Sequence, residues 1–248
     1  MASLPRALAA ALGDAVVLGV PVRRVARVAA GLRIDTGSGS LRARSVVVAT
    51  QPHVAAGLLE GLDADGAAAA AELDAPPLAV VFLGLRRRQV GHPLDGLGYL
   101  VPSGQGRPVT GALFCSTMFP GRAPAGHVAL AAYLGGARAP ALAQASQEEL
   151  IAAVGDEFRE FLGVRGDPVV ARVRQWPRGL PQYQLGHGAR VAKLRGAEQR
   201  APGLFLTGNY FAGLSVAACV TQAGETADRV NAYLIDRAGA LRDRRVAL

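Results

Sequence analysis

Apolar residues recur along this chain in two periods, and the period changes mark its elements. Leucine and alanine at three- and four-residue steps over 4–12, closed by Gly13, predict a helix. Residues 16–18 and 22–25 read as short strands, with Pro21 tolerated at a strand start. Residues 32–34 and 41–43 alternate in polarity around a Gly/Ser turn at 36–40, which predicts a hairpin. Residues 45–50 are an unbroken apolar run, the pattern of a strand buried on both faces. Helices are expected over 53–59 and 63–73, the second capped by Asp63. Strands at 78–85, 98–101, 109–114 and 128–134, separated by Gly/Pro-rich turns, predict an antiparallel sheet. Ser146 and Glu149 have capping-box spacing and open an amphipathic helix that runs to 162, followed by a strand at 169–176. Pro177 and Pro181 then break the pattern before a helix at 189–195, a short apolar strand at 204–206 and a long helix over 216–234.

The segment 202–216 (PGLFLTGNYFAGLSV) is the densest in chemical meaning. A strand that stops at Gly208-Asn209, meets Gly213 and re-enters a helix lets backbone N–H groups approach a ligand, with the helix N-terminus facing an anion. Three phosphate or nucleophile motifs nearly fit and fail. The spacing from Gly208 to Ser215 is that of a P-loop, but Leu214 stands where the lysine must be. Gly213-Leu-Ser215-Val-Ala217 resembles a nucleophile elbow, yet all four histidines (His53, His92, His127, His187) precede the serine, so chain order excludes that hydrolase. Gly37-Ser-Gly39 and Gly96-Leu-Gly98 begin like dinucleotide fingerprints, with Arg42 and Val101 where the third glycine belongs. An ordinary strand–turn–helix remains the alternative to a cofactor turn. The runs 46–49 and 204–206 look like internal strands of an α/β layer that nothing in the chain begins.

Half of the 248 residues are apolar, ample for a core, and no uncharged apolar run is long enough to span a membrane. Cys115 and Cys219 share no metal-ligand spacing and read as buried reduced thiols of a cytoplasmic protein. The histidines form no H-x-x-x-H pair, so no metal site is predicted. The formal charge of +8 comes from dispersed arginines, Arg23-Arg24, Arg86 to Arg88 and Arg244-Arg245, with few aromatics between them. That pattern is a solvated surface rather than a nucleic-acid footprint, with contact to anionic lipid headgroups as the weaker reading.

Five segments together resemble FAD-dependent protoporphyrinogen oxidase of the flavin amine oxidase superfamily, in its C-terminal half. They are 92–102 (HPLDGLGYLVP), 111–124 (GALFCSTMFPGRAP), 134–138 (LGGAR), 176–187 (WPRGLPQYQLGH) and the glycine turn 202–216, in family order over nearly the whole chain. The resemblance implies a mixed α/β and α+β fold: a partial FAD/NAD(P)-binding domain lacking its N-terminal Rossmann βαβ, and a substrate domain with an antiparallel sheet and flanking helices. Residues 1–50 and 200–236 fall to the flavin domain, 51–199 to the substrate domain and 237–248 to a tail. Met1 corresponds to an internal methionine of the family, which makes the expected chain a fragment of a longer enzyme, or one chain of a split one.

By similarity, Val22 lies beside the adenine, and Gly208, Asn209, Gly213, Leu214, Ser215 and Val216 line the flavin ring. Trp176 is adjacent to the cofactor or an ordinary core aromatic. Leu100, Leu113 and Tyr133 line the substrate pocket, Tyr133 standing where the family carries phenylalanine. The implied chemistry is hydride removal from protoporphyrinogen IX by FAD, with O2 as acceptor and no catalytic acid or base identified. Asp95 and His187 read as structural caps and turn hydrogen bonds. Ala217-Ala218-Cys219 departs from relatives that carry an aspartate before the cysteine. Coproporphyrinogen III oxidation, another amine-oxidase-like activity and a non-catalytic module are the alternatives. Family members imply a homodimer and a peripheral membrane contact.

Overall fold

The computed structural model describes the backbone of residues 2–246 and the side chains of residues 2–237. Met1, read above as an internal methionine, and the side chains of Arg244-Arg245 lie outside them. Packing divides the chain into two compact units, Met1–Leu73 with Tyr183–Leu248, and Asp74–Gln182. The division falls at 73/74 and 182/183 rather than at 50/51 and 199/200. The reason is that α2 (Pro52–Leu59), α3 (Ala64–Ala71) and α6 (His187–Arg200) share one core with the chain ends.

The first unit opens with α1 (Ser3–Leu12), whose apolar positions Leu4, Leu8 and Leu12 are all exposed. Residues 16–18, expected to be a strand, are irregular and pair with nothing described; Val17 and Leu18 face solvent. β1 (Val22–Val28), β2 (Gly31–Thr36) and β3 (Gly39–Ala43) form an antiparallel sheet, so the predicted hairpin gains a third strand. β4 (Val46–Val48) pairs in parallel with β10 (Leu204–Leu206), matching Val46 with Leu204 and Val48 with Leu206. β4 is not buried on both faces: Val48 is in the core, whereas Val47 is 44% exposed. The core joins Val25, Leu32, Leu59, Leu194, Leu204, Leu206 and Tyr210. α7 (Val216–Val246) closes the unit and continues through most of the segment read as a tail.

The second unit is a five-stranded antiparallel sheet in the order β6-β7-β8-β5-β9. Its strands are β5 (Leu78–Arg86), β6 (Gly98–Leu100), β7 (Val109–Leu113), β8 (His127–Gly135) and β9 (Val170–Trp176). A one-turn helix, α4 (Cys115–Met118), follows β7, and α5 (Gln147–Leu162) packs on the sheet. The sequence made α5 legible: Ser146 and Glu149 close a reciprocal capping box, and Gly163 ends the helix in the left-handed conformation. β5 alternates strictly, turning Ala79, Val81, Leu83 and Leu85 toward Leu150, Val154, Phe158 and Leu162 of α5. Its opposite residues, Val80 and Phe82, therefore point to the face that α5 does not cover.

Candidate functional site: a glycine turn and an open sheet face

In the first unit a cavity of about 340 Å3 lies at the C-terminal ends of the parallel strands, lined by Ala49, Thr50, Gln51, Thr207, Gly208, Asn209, Cys219 and Ala223. Crevices beyond the carboxyl ends of parallel strands are where open α/β sheets bind ligands. Gly208 and Gly213 both have positive φ, 150° and 144°, and a Cβ on Gly208 would come within 2.7 Å of the Tyr210 ring. Glycine is thus required for the close approach that defines the turn. Ser215 caps α7, its hydroxyl accepting from the Ala218 N–H at 3.1 Å.

Two groups hold this turn, and neither was singled out from sequence. The Tyr183 hydroxyl donates to the Asn209 carbonyl at 2.7 Å and accepts from the Gly213 N–H at 2.8 Å, bridging the two halves of the loop. Burial raises the Tyr183 pKa, so the phenol stays protonated and keeps donating. Behind the strand, Glu198 accepts from the Leu206 N–H at 2.7 Å while Arg195 donates to the Leu206 carbonyl at 3.1 Å. An ion pair of 2.9 Å between these side chains thereby serves the edge of β10 that β4 leaves free.

Of the residues predicted to meet a cofactor, Gly208 and Asn209 line the cavity. Leu214, Ser215 and Val216 stand at the exposed start of α7. Val22 is elsewhere in the unit, in a cavity of about 410 Å3 on the three-stranded sheet, with Val17, Val20, Ile34 and Leu41. Trp176 belongs to the second unit, exposed at the end of β9, which removes its reading as a core aromatic. His187 makes its turn hydrogen bond through the backbone, its N–H donating to the Gln184 carbonyl at 3.0 Å. Its ring stacks on Tyr183 at 4.0 Å, and both ring nitrogens are buried without a hydrogen-bond partner among the described residues. Asp95 accepts no hydrogen bond from any described residue and lines a cavity of about 330 Å3 with His92, Tyr99 and Phe161. The two thiols are half-buried rather than buried, Cys219 because it lines the turn cavity.

In the second unit the strand register settles the arrangement of the predicted substrate residues. Leu100 faces Gly111, Gly111 faces Tyr133 and Tyr133 faces Val80; in the next row Gly98, Leu113, Ala131 and Phe82 face one another in turn. Directly opposed residues share a face, so Leu100, Leu113 and Tyr133 stand together on the side away from α5. Leu100 is 87% exposed and leans over Gly111, where a Cβ would meet its Cδ2 at 2.9 Å. Tyr133 finds no hydrogen-bond partner for its hydroxyl among the described residues, and burial raises its pKa. The result is an apolar sheet face with one phenol in it.

A family model for flavin containing amine oxidoreductases matches residues 1–231. The chain belongs to that family. It is 35% identical over 246 residues to protoporphyrinogen oxidase 1, chloroplastic, of Arabidopsis thaliana, covering 93% of this chain and 46% of the relative. It is 30% identical over 205 residues to coproporphyrinogen III oxidase of Bacillus subtilis (strain 168), covering 82% and 43%. A putative protoporphyrinogen oxidase from Exiguobacterium superposes with a TM-score of 0.75 at 23% identity, over 85% of this chain and 46% of that one. A cyclohexylamine oxidase from Brevibacterium oxydans superposes at 0.73 and 20%, over 94% and 52%. The fold is thus the mixed α/β fold of amine oxidase structures, and the flavin amine oxidoreductase chain spans about half the length of its curated relatives. No helix among the described residues is long and apolar enough to cross a membrane.

Proposed function

We propose that this chain carries the flavin-ring turn and the substrate face of an FAD-dependent porphyrinogen oxidase that converts protoporphyrinogen IX to protoporphyrin IX, with O2 as acceptor. The observation that carries the reading is the shared face of Leu100, Leu113 and Tyr133, apolar as a tetrapyrrole ring requires. Relatives named for protoporphyrinogen oxidation, matched over 93% of the chain, support it.

The residues present fit a flavin. The turn glycines leave no side chain in the way, the cavity behind them has small walls, and the N-terminus of α7 favours negative charge beside it. A bound flavin would supply the hydride acceptor. Gly208, Asn209 and Gly213 would hold the ring, with Leu214, Ser215 and Val216 supporting its pyrimidine end; Val22 is assigned to the adenine and Trp176 to the ring's surroundings. Tyr183 keeps that wall in one conformation, and the apolar face orients the macrocycle and excludes water. By function, residues 1–50 and 200–236 are assigned to the flavin domain and 51–199 to the substrate domain, although 52–73 and 183–199 pack in the same compact unit as the flavin residues. β4 has no strand on its second edge among the described residues, which accords with a larger flavin-binding sheet. A homodimer and a peripheral membrane contact complete the proposal.

The Bacillus relative makes coproporphyrinogen III the competing substrate. Joining the chain to the part of the Arabidopsis relative that it does not match and following porphyrin fluorescence separates the two. The proposal expects faster turnover of protoporphyrinogen; a preference for coproporphyrinogen would move the substrate assignment to the second reading, and no turnover of either would overturn both.

A further inference from the structure

The open face of the second unit carries charge as well as apolar surface. Along β9, Ala171, Val173 and Gln175 turn inward while Val170, Arg172, Arg174 and Trp176 are exposed on the other side. Register extends both apolar rows directly into the arginines: Val80, opposite Tyr133, faces Arg174, and Phe82, opposite Ala131, faces Arg172. None of the five strands contains Asp or Glu. Neither arginine forms an ion pair with any described residue. Among the described residues Arg172 donates only to the neighbouring Ala171 carbonyl, and the Arg174 guanidinium lies 5.6 Å from the Trp176 ring centroid. Charges that merely guard an edge strand against pairing need no common face. Two arginines on one face, beside two apolar rows and without counter-ions, repel each other and await an anion.

We propose that Arg172 and Arg174 bind carboxylates at one edge of a flat apolar ring lying over Leu100, Leu113 and Tyr133. The ligand class is then a macrocycle with acidic side chains on one side. This inference rests on the reading of that face as the macrocycle face. The dimensions suit it: the four strand steps from Leu100 to Arg174 span about 19 Å, and the two arginines are about 7 Å apart along β9. Guanidinium groups pair with carboxylates through two parallel hydrogen bonds, and stacking on Trp176 holds Arg174 over the face.

Trp176 is the only tryptophan in the chain and so reports directly on this surface. The test titrates the chain, in one detergent buffer, with protoporphyrin IX and with its dimethyl ester, reading tryptophan quenching and porphyrin anisotropy. The free acid should bind at least about tenfold more tightly than the ester, the weight of one or two charge-assisted hydrogen bonds, and added salt should weaken the acid alone. Arg172→Gln with Arg174→Gln should remove the preference and leave ester affinity unchanged; Arg174→Lys should retain part of it. Leu100→Asp, a change at an exposed position, should weaken both ligands. Equal affinity for acid and ester, or a preference that survives the double variant, overturns the carboxylate inference while the apolar reading stands. If neither porphyrin binds, or Leu100→Asp changes nothing, the macrocycle reading fails and the inference falls with it.

Discussion

Tyr183 acts on the glycine turn through a single oxygen that serves as donor to Asn209 and acceptor from Gly213. Phenylalanine would preserve the stacking on His187 and remove only the bridge. Tyr183→Phe should therefore lower stability by about 1–2 kcal/mol, two hydrogen bonds at ordinary net worth, measured as a shift in urea midpoint with unchanged slope. Nothing in the sequence pointed to this residue: it lies among prolines in an irregular segment, and its partners are backbone atoms some thirty residues away. Gly208 and Gly213 were legible because their conformation leaves glycine as the fitting choice. The turn was readable from the residues that shape it and unreadable from the residue that latches it.

At the scale of elements, legibility followed the number of local signals. α5 carries a capping box, an amphipathic period and a closing glycine, and its predicted and observed bounds nearly coincide. Residues 16–18 had only apolar β-branched character, and that cannot make a strand without a partner to bond. The short apolar run 45–50 promised burial on both faces, but burial depends on what packs against β4, and Val47 has no such neighbour. α3 shows how a local cap can be tied to distant structure. Asp63 accepts from the Gly66 N–H at 2.7 Å and receives two hydrogen bonds from Arg200 at 2.6 and 2.8 Å, joining α3 to the end of α6. Chiefly through the Arg200 hydrogen bond, its carboxyl is held below the ordinary range. Its folded pKa is thus lower than its unfolded one, so the stabilisation is complete above about pH 4–5 and is lost as pH falls through the folded value. Asp63→Asn should make the chain less stable at neutral pH and flatten the acid limb of its stability curve. Equal acid limbs in the two proteins would contradict that role.

Across the whole molecule, the features that packing within each unit does not explain are surfaces. α1 exposes Leu4, Leu8 and Leu12 in a line, Val47 faces outward from β4, and the five-stranded sheet leaves one face to Leu100, Leu113 and Tyr133. Contiguous apolar surfaces of this kind mark interaction or ligand sites. The sequence showed that the α/β layer lacked neighbours; it could not show that three separate strands align the predicted substrate residues, because register is a property of the assembled sheet. We propose that the Gly208–Gly213 turn is one wall of a flavin site and that the contacts of this chain alone do not retain the cofactor. The most direct measurement is flavin absorbance and stoichiometry after FAD is added and the excess removed by dialysis. It should be made on the chain alone and on the chain joined to the part of the Arabidopsis relative that it does not match. The account predicts a colourless chain and a yellow joined protein; a stable yellow chain with one flavin bound, or a joined protein that stays colourless, would contradict it.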